Sequence, residues 1–171
     1  MDKIKEVLSE KSKPKEKVDK ITRIIIEKPD NINNLISNFM QGIDVDKGTY
    51  ATVLKQLSST NPEIVEPFID EFFDYINHKS NRVKWGIPET IGNLAEKYPK
   101  RVEKAIPNLL RNTEDKSTVV RWCAAYALSN IALHNLDVRE ELVGKINLIV
   151  EKEENNGVKN VYIKALKQIE E

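Results

Sequence analysis

The sequence predicts an all-α solenoid built from about four to five helical hairpins, spanning residues 1–171 as one domain. Three observations lead there. Apolar residues recur at helical spacing in one segment after another, and no stretch alternates at period two, so no sheet is expected. Proline, glycine and small polar residues interrupt those segments every ten to twenty residues. The pattern also copies itself. A shift of 37 residues carries Pro62, Val65, Glu66, Ile69, Phe72 and Phe73 onto Pro99, Val102, Glu103, Ile106, Leu109 and Leu110. The same shift carries Val83, Lys84, Trp85, Ile91, Asn93, Leu94 and Ala95 onto Val120, Arg121, Trp122, Leu128, Asn130, Ile131 and Ala132.

The elements follow in order. Ile4, Val7 and Leu8 suit a short helix over 2–10, broken at Ser12-Lys13-Pro14. Val18, Ile21, Ile24 and Ile25 share a face over 15–28, and Pro29 ends that segment. Ile32, Leu35, Ile36, Phe39 and Met40 do the same over 31–41, with Gly42 as the stop. After a loop, Tyr50, Val53, Leu54 and Leu57 define 47–59. Asn61-Pro62-Glu63 is a helix start, joining a capping residue, a proline in the first turn and an acid on the dipole. That helix is expected to run to about 77. Ser80 can cap 81–97, Pro99 opens 100–113, and Ser117 can cap 118–134. Helices at 138–153 and 157–170 flank Asn155-Asn156-Gly157 and complete the chain. The repeats are weaker over 1–46, where the period shortens to 33, and clearer over 47–171.

One hairpin has too little apolar surface to fold alone, so each must bury its face on the next. Ala124, Ala127 and Ala165 allow helix axes to approach, and Leu128 and Ile131 fill the space between layers.

Lys plus Arg equals Asp plus Glu at 27 each, so no global field favours nucleic acid or an anionic membrane. Locally the sign alternates: net +3 over 1–28, −5 over 29–80, +4 over 81–134 and −2 over 135–171. The single Cys123 sits among alanines and reads as a small core residue. No apolar run approaches the roughly 20 residues a membrane helix needs. The start Met-Asp-Lys-Ile-Lys-Glu lacks the apolar core of a signal peptide, so the expected location is cytoplasmic.

At 99–134 the chain resembles a HEAT repeat. The resemblance rests on Ile106, Pro107, Leu109 and Leu110 in a first helix and Asp115 in the turn. Val120, Arg121, Ala124, Ala125, Ala127 and Leu128 carry it through the second helix. It implies a right-handed solenoid of HEAT-like hairpins with the second helices on the concave side. It further implies that Asp115 and Arg121 pair between neighbouring repeats. The unit at 62–97 departs from the pattern, with His78 and Lys84 at those positions, so the ladder of pairs is expected to be incomplete there.

On second helices, residues at i, i+4 and i+8 share a face. Trp85, Glu89 and Asn93 form one such row, and Trp122, Tyr126 and Asn130 the next. Flanking rows carry Gly48, Thr52 and Gln56, and Asn160, Lys164 and Gln168. Aromatic faces give flat slots, and carboxamides can satisfy the backbone of an extended peptide. The related armadillo family is similar in its tryptophan and asparagine ladders, although its two residues lie one turn apart and these lie two. The expected function is therefore a non-catalytic scaffold whose partner is a protein or peptide.

No catalytic residue, metal site or cofactor is expected. His78 and His134 are the only histidines and lie on different helices, and there is no phosphate loop or nucleophile signature. The acids of 62–77 read as a solvated face. Two alternatives remain. HEAT-like folds occur in DNA alkylation-repair glycosylases, and Arg82, Lys84, Arg121 and Lys159 could start a basic groove, but no excess charge supports it. The chain could instead be a structural subunit of a larger assembly.

Overall fold

The computed structural model describes residues 2–171. Twelve α-helical segments follow one another, and no strand occurs among the described residues. They are α1 (Lys3–Ser9), α2 (Pro14–Glu27), α3 (Ile32–Gln41), α4 (Asp44–Thr60), α5 (Pro62–Val65) and α6 (Ile69–Phe72). Then come α7 (Asn81–Leu94), α8 (Pro99–Val102), α9 (Ile106–Asn112), α10 (Thr118–His134), α11 (Leu136–Lys152) and α12 (Asn156–Glu170). They make five hairpins: α1 with α2, α3 with α4, α5–α6 with α7, α8–α9 with α10, and α11 with α12. The second helices stack in series, α2 on α4, α4 on α7, α7 on α10 and α10 on α12. The fold is an α-solenoid.

Two first helices are broken where continuous ones were expected. Over 62–75 the α segments are separated by a tighter turn at Glu66–Phe68, and a second follows at Phe73–Tyr75. Over 99–112 the break is Glu103–Ala105. Proline explains the breaks at Glu66–Phe68 and Glu103–Ala105. Pro67 and Pro107 donate no backbone N–H, and each ring crowds the carbonyl four residues earlier. Pro88, by contrast, lies inside a continuous α7. Helix starts also differ. Asp44 and Asp46 fall in the first turn of α4, where they complement the dipole, so the helix begins three residues earlier than expected. Asn135 caps α11 through its side chain, with Asp137 N donating at 3.1 Å.

One apolar cluster runs from Ile4 to Tyr162, with Leu54, Leu57, Ile69, Phe72, Ile87, Ile91, Leu109, Leu128 and Ile131 fully buried. Second helices come together over small residues. An added Cβ at Gly86 would lie 2.8 Å from the Ala51 carbonyl, and one at Gly92 2.7 Å from the Tyr126 ring. These two glycines fix how closely α7 meets α4 and α10, and with that the spacing of the face they share.

Candidate functional site

Three turns between first and second helices share one construction. The residue at each holds the backbone N–H two positions on: Ser80 N donates to His78 Nδ1 at 3.0 Å, Ser117 N to Asp115 Oδ1 at 2.8 Å, and Asn155 N to Glu153 Oε1 at 3.0 Å. The remaining oxygen of each acid faces a base from the preceding repeat. Lys84 Nζ lies 2.7 Å from Asp115 Oδ2, and Arg121 Nε 2.9 Å from Glu153 Oε2.

Asp115 and Arg121 thus each bond across a repeat boundary, Asp115 to Lys84 and Arg121 to Glu153, and their own carboxylate and guanidinium do not pair with each other. Arg121 meets Asp115 only at its main-chain oxygen, 2.9 Å from Nη1. Lys84, which departs from the family pattern, forms one of the ladder's rungs. The gap falls one repeat earlier, where His78 Nε2 sits 3.5 Å from Asp44 Oδ1.

The electrostatics follow the geometry. Burial pushes the Asp115 carboxyl up, but hydrogen bonds from Lys84 and Ser117 outweigh it and hold the group below the usual carboxylate range. Glu153 is also lowered: burial opposes ionisation, while Arg121 and the Asn155 N–H favour it more strongly. Burial pulls the His78 imidazole down, and neighbouring Asp44 offsets this only partly. A neutral ring suits a turn in which Nδ1 must accept.

The row on the second helices divides into a bonded part and an open part. Glu89 is held by Lys55 Nζ at 3.0 Å and by Cys123 Sγ at 3.4 Å. Asn93 Nδ2 donates to Lys55 O at 3.2 Å and Ser58 Oγ at 3.1 Å, while its oxygen accepts from the Tyr126 hydroxyl. Gln56 accepts from Thr22 Oγ1 at 2.9 Å. Trp85 is half-buried, and its indole N–H is closed off with no acceptor. Trp122 is different. It is 37% exposed and stacks on Tyr126, with ring centroids 5.7 Å apart and planes 6° from parallel. Asn130 bonds only within its own helix, Nδ2 to Tyr126 O at 2.8 Å.

Of the row expected from sequence, Glu89 and Asn93 are committed to neighbouring helices, Trp122 is exposed, and the partly exposed Asn130 makes no bond beyond its own helix. Sequence reasoning missed Lys55, Ser58 and Glu153. Glu153 was accessible to it, standing 38 residues after Asp115. Cys123 is buried, and its thiol is pushed up by burial and by Glu89, so it has the character of a core residue and not of a nucleophile. No group of three or more metal-ligating side chains occurs among the described residues.

Residues 4–171 match the family described as "Stalled ribosome sensor GCN1-like, HEAT repeats". The chain belongs to this HEAT-repeat family. Solved structures with the same fold as this HEAT-repeat chain include a designed armadillo repeat protein in complex with the peptide (KR)4, at 16% identity and TM-score 0.72. That match covers 96% of this chain and 79% of the other. An engineered protein aligns at 18% identity and TM-score 0.75, covering 98% and 80%. Computationally designed armadillo repeat proteins for modular peptide recognition align at 19% and 0.71, covering 97% and 80%. No curated protein matches the sequence.

Proposed function

We propose that this HEAT-repeat chain is a non-catalytic protein-binding scaffold that receives an extended segment of its partner along the second-helix face, on the concave side of the solenoid. The observation that carries the reading is the Trp122–Tyr126 stack. Val120, Cys123, Ala124, Ala125, Ala127, Leu128, Ile131 and Ala132 of α10 are buried to 0–1% exposure, while Trp122, the largest side chain of that helix, stays 37% exposed and Val119 beside it 49%. A flat aromatic pair outside the core is a low-entropy anchor of the kind that dominates binding energy. The designed armadillo repeat proteins, named for peptide complexes and peptide recognition, support the same use of the fold. No helix among the described residues is long and apolar enough to cross a membrane.

The test compares wild type with Trp122→Ala as bait in lysate capture with mass spectrometry. The variant should lose the partners that wild type retains, while its helicity and melting stay nearly unchanged. A variant that melts early makes Trp122 a core residue and removes the site. If binding to duplex DNA appears and falls steeply between low and moderate salt, the nucleic-acid alternative replaces this one.

A further inference from the structure

Resting on that reading, the pattern of open and bonded groups specifies the partner's chemistry. Equivalent residues on successive second helices should make equivalent bonds. Asn93 of α7 is tied to Tyr126 of α10. One repeat on, the corresponding pair is Asn130 of α10 and Lys164 of α12, related by shifts of 37 and 38 residues. No bond forms there. Among the described residues, Asn130 Oδ1 accepts no hydrogen bond and the exposed Lys164 ammonium has neither a hydrogen bond nor an ion pair. The rung closed between α7 and α10 is open between α10 and α12, on the same helix as the exposed Trp122 ring and two turns along it. Asn160 and Gln168 are exposed in the same row.

The charge of this strip is predominantly positive. α10 contains no Asp or Glu. α12 carries Lys159, Lys164 and Lys167 against Glu170, and none of the three lysines is paired among the described residues. The one carboxylate on the neighbouring α7 row, Glu89, is already neutralised by Lys55 at 3.0 Å. The unpaired charges of α12 are thus three lysines against Glu170 at its end, a balance that disfavours a cationic segment such as the (KR)4 peptide of the designed armadillo protein.

We infer that the α10–α12 strip binds an extended segment of a protein partner that carries a carboxylate close to an apolar residue. The apolar side chain covers the Trp122–Tyr126 stack, the carboxylate meets Lys164, and a backbone N–H donates to Asn130 Oδ1. Packed helices lie about 8–10 Å apart, and extended chain advances about 3.3–3.6 Å per residue with alternate side chains on one face. The apolar residue and the acid therefore stand two positions apart.

The test is a 15N–1H NMR titration of the whole chain with (Ser-Leu-Ser-Asp)2, its Lys-for-Asp and Asn-for-Asp counterparts, and octathymidylate. The acidic peptide should shift the Trp122 indole and the amides of Asn160 and Lys164, at least about tenfold tighter than the lysine peptide. Lys164→Glu, at an exposed position, should weaken it about fivefold, as expected for losing one exposed ion pair and gaining a repulsion. If the lysine or asparagine peptide shifts the same amides equally well, the charge inference falls and the groove reading stands. If octathymidylate does so at lower concentration, the strip is a nucleic-acid site and the inference is overturned. If none of the three peptides moves α10 or α12, the inference and the groove reading fall together.

Discussion

Gly86→Ala and Gly144→Ala are the same chemical change inside helices of one protein, and they should shift stability in opposite directions. Alanine in place of glycine in a helix interior is favourable by about 1 kcal/mol, because less backbone entropy is lost. At Gly144 nothing lies within 4 Å of the added methyl, so that gain should appear undiminished. At Gly86 the methyl would stand 2.8 Å from the carbonyl carbon, carbonyl oxygen and Cβ of Ala51. Carbon atoms pack best at about 3.5–4.0 Å, so α4 and α7 must part by about 1 Å at their crossing. A gap of about that size forfeits a quarter to a half of each contact well along the interface. The obstacle is backbone and cannot swing aside, which points to the upper part of the 1–3 kcal/mol range typical of overpacking. Subtracting the propensity gain leaves Gly86→Ala destabilised by about 1–2 kcal/mol. For a chain of 171 residues this lowers Tm by about 2–8 °C, against a rise of about 2–4 °C for Gly144→Ala. Calorimetry reads the difference, and amide exchange localises it to α4 and α7, a necessary control because repeat arrays can melt in parts. If Gly86→Ala melts at or above wild type, the crossing is not set by backbone contact, and the spacing of the second-helix row needs another explanation.

The remaining predictions concern the rungs. Glu153→Gln leaves the largely buried Arg121 guanidinium without its counter-charge, which should cost about 2 kcal/mol, scaled down from a fully buried pair because Arg121 retains some solvent. Exchange protection should fall first in α11 and α12, and uniform loss would contradict the assignment. On the acid side, Asp115 and Glu153 have folded pKa values below their unfolded ones. Their contribution is thus complete above the ordinary carboxylate range of about 4 and is lost as pH falls through the folded values. A urea-denaturation series against pH should show this decline, shallower in Glu153→Gln. The His78 pKa is also lowered on folding, so the unfolded chain binds its proton first and stability should fall as pH drops below about 6.5. His78→Gln should flatten that portion of the curve; an unchanged slope removes His78 as its source. Cys123 should resist maleimide in the native state and react only after denaturation.

The repeat architecture was legible because stacking makes strong, periodic demands. Successive layers place an apolar residue where Val83, Val120 and Val158 stand, and one position on Lys84 and Arg121 tie their layers to the next. A shift of 37 or 38 residues exposes those demands directly. Breaks within helices were harder. Pro67, Pro88 and Pro107 all lie in segments of helical periodicity, yet α7 stays continuous through Pro88 while the other two segments break. Gly86 and Gly92 were silent for a related reason. In sequence a mid-helix glycine is only a weak helix former, and its purpose depends on the backbone opposite.

The second-helix row shows where sequence legibility ends. The periodicity that aligns Trp85 with Trp122 and Asn93 with Asn130 treats each pair as equivalent. What separates their members is the helix opposite. Asn93 bonds Ser58 and Lys55 behind it and Tyr126 in front, whereas Asn130 has Lys164 in front, an ammonium that makes no bond to it. A tyrosine hydroxyl on a two-torsion ring is placed well enough to close a rung. A lysine on a flexible four-carbon stem loses more rotamer freedom if fixed and is better hydrated if left alone. Replacing Lys164 with Tyr should therefore close the rung, bonding Asn130 as Tyr126 bonds Asn93. The variant should keep or gain stability by about 1 kcal/mol, the size of one hydrogen bond, while losing the acidic-peptide response. A Lys164→Tyr variant that still prefers the acidic peptide would place the carboxylate's partner elsewhere, at Lys159 or Lys167. Stability and recognition would then be separable on this face, and the open rung would not be the site.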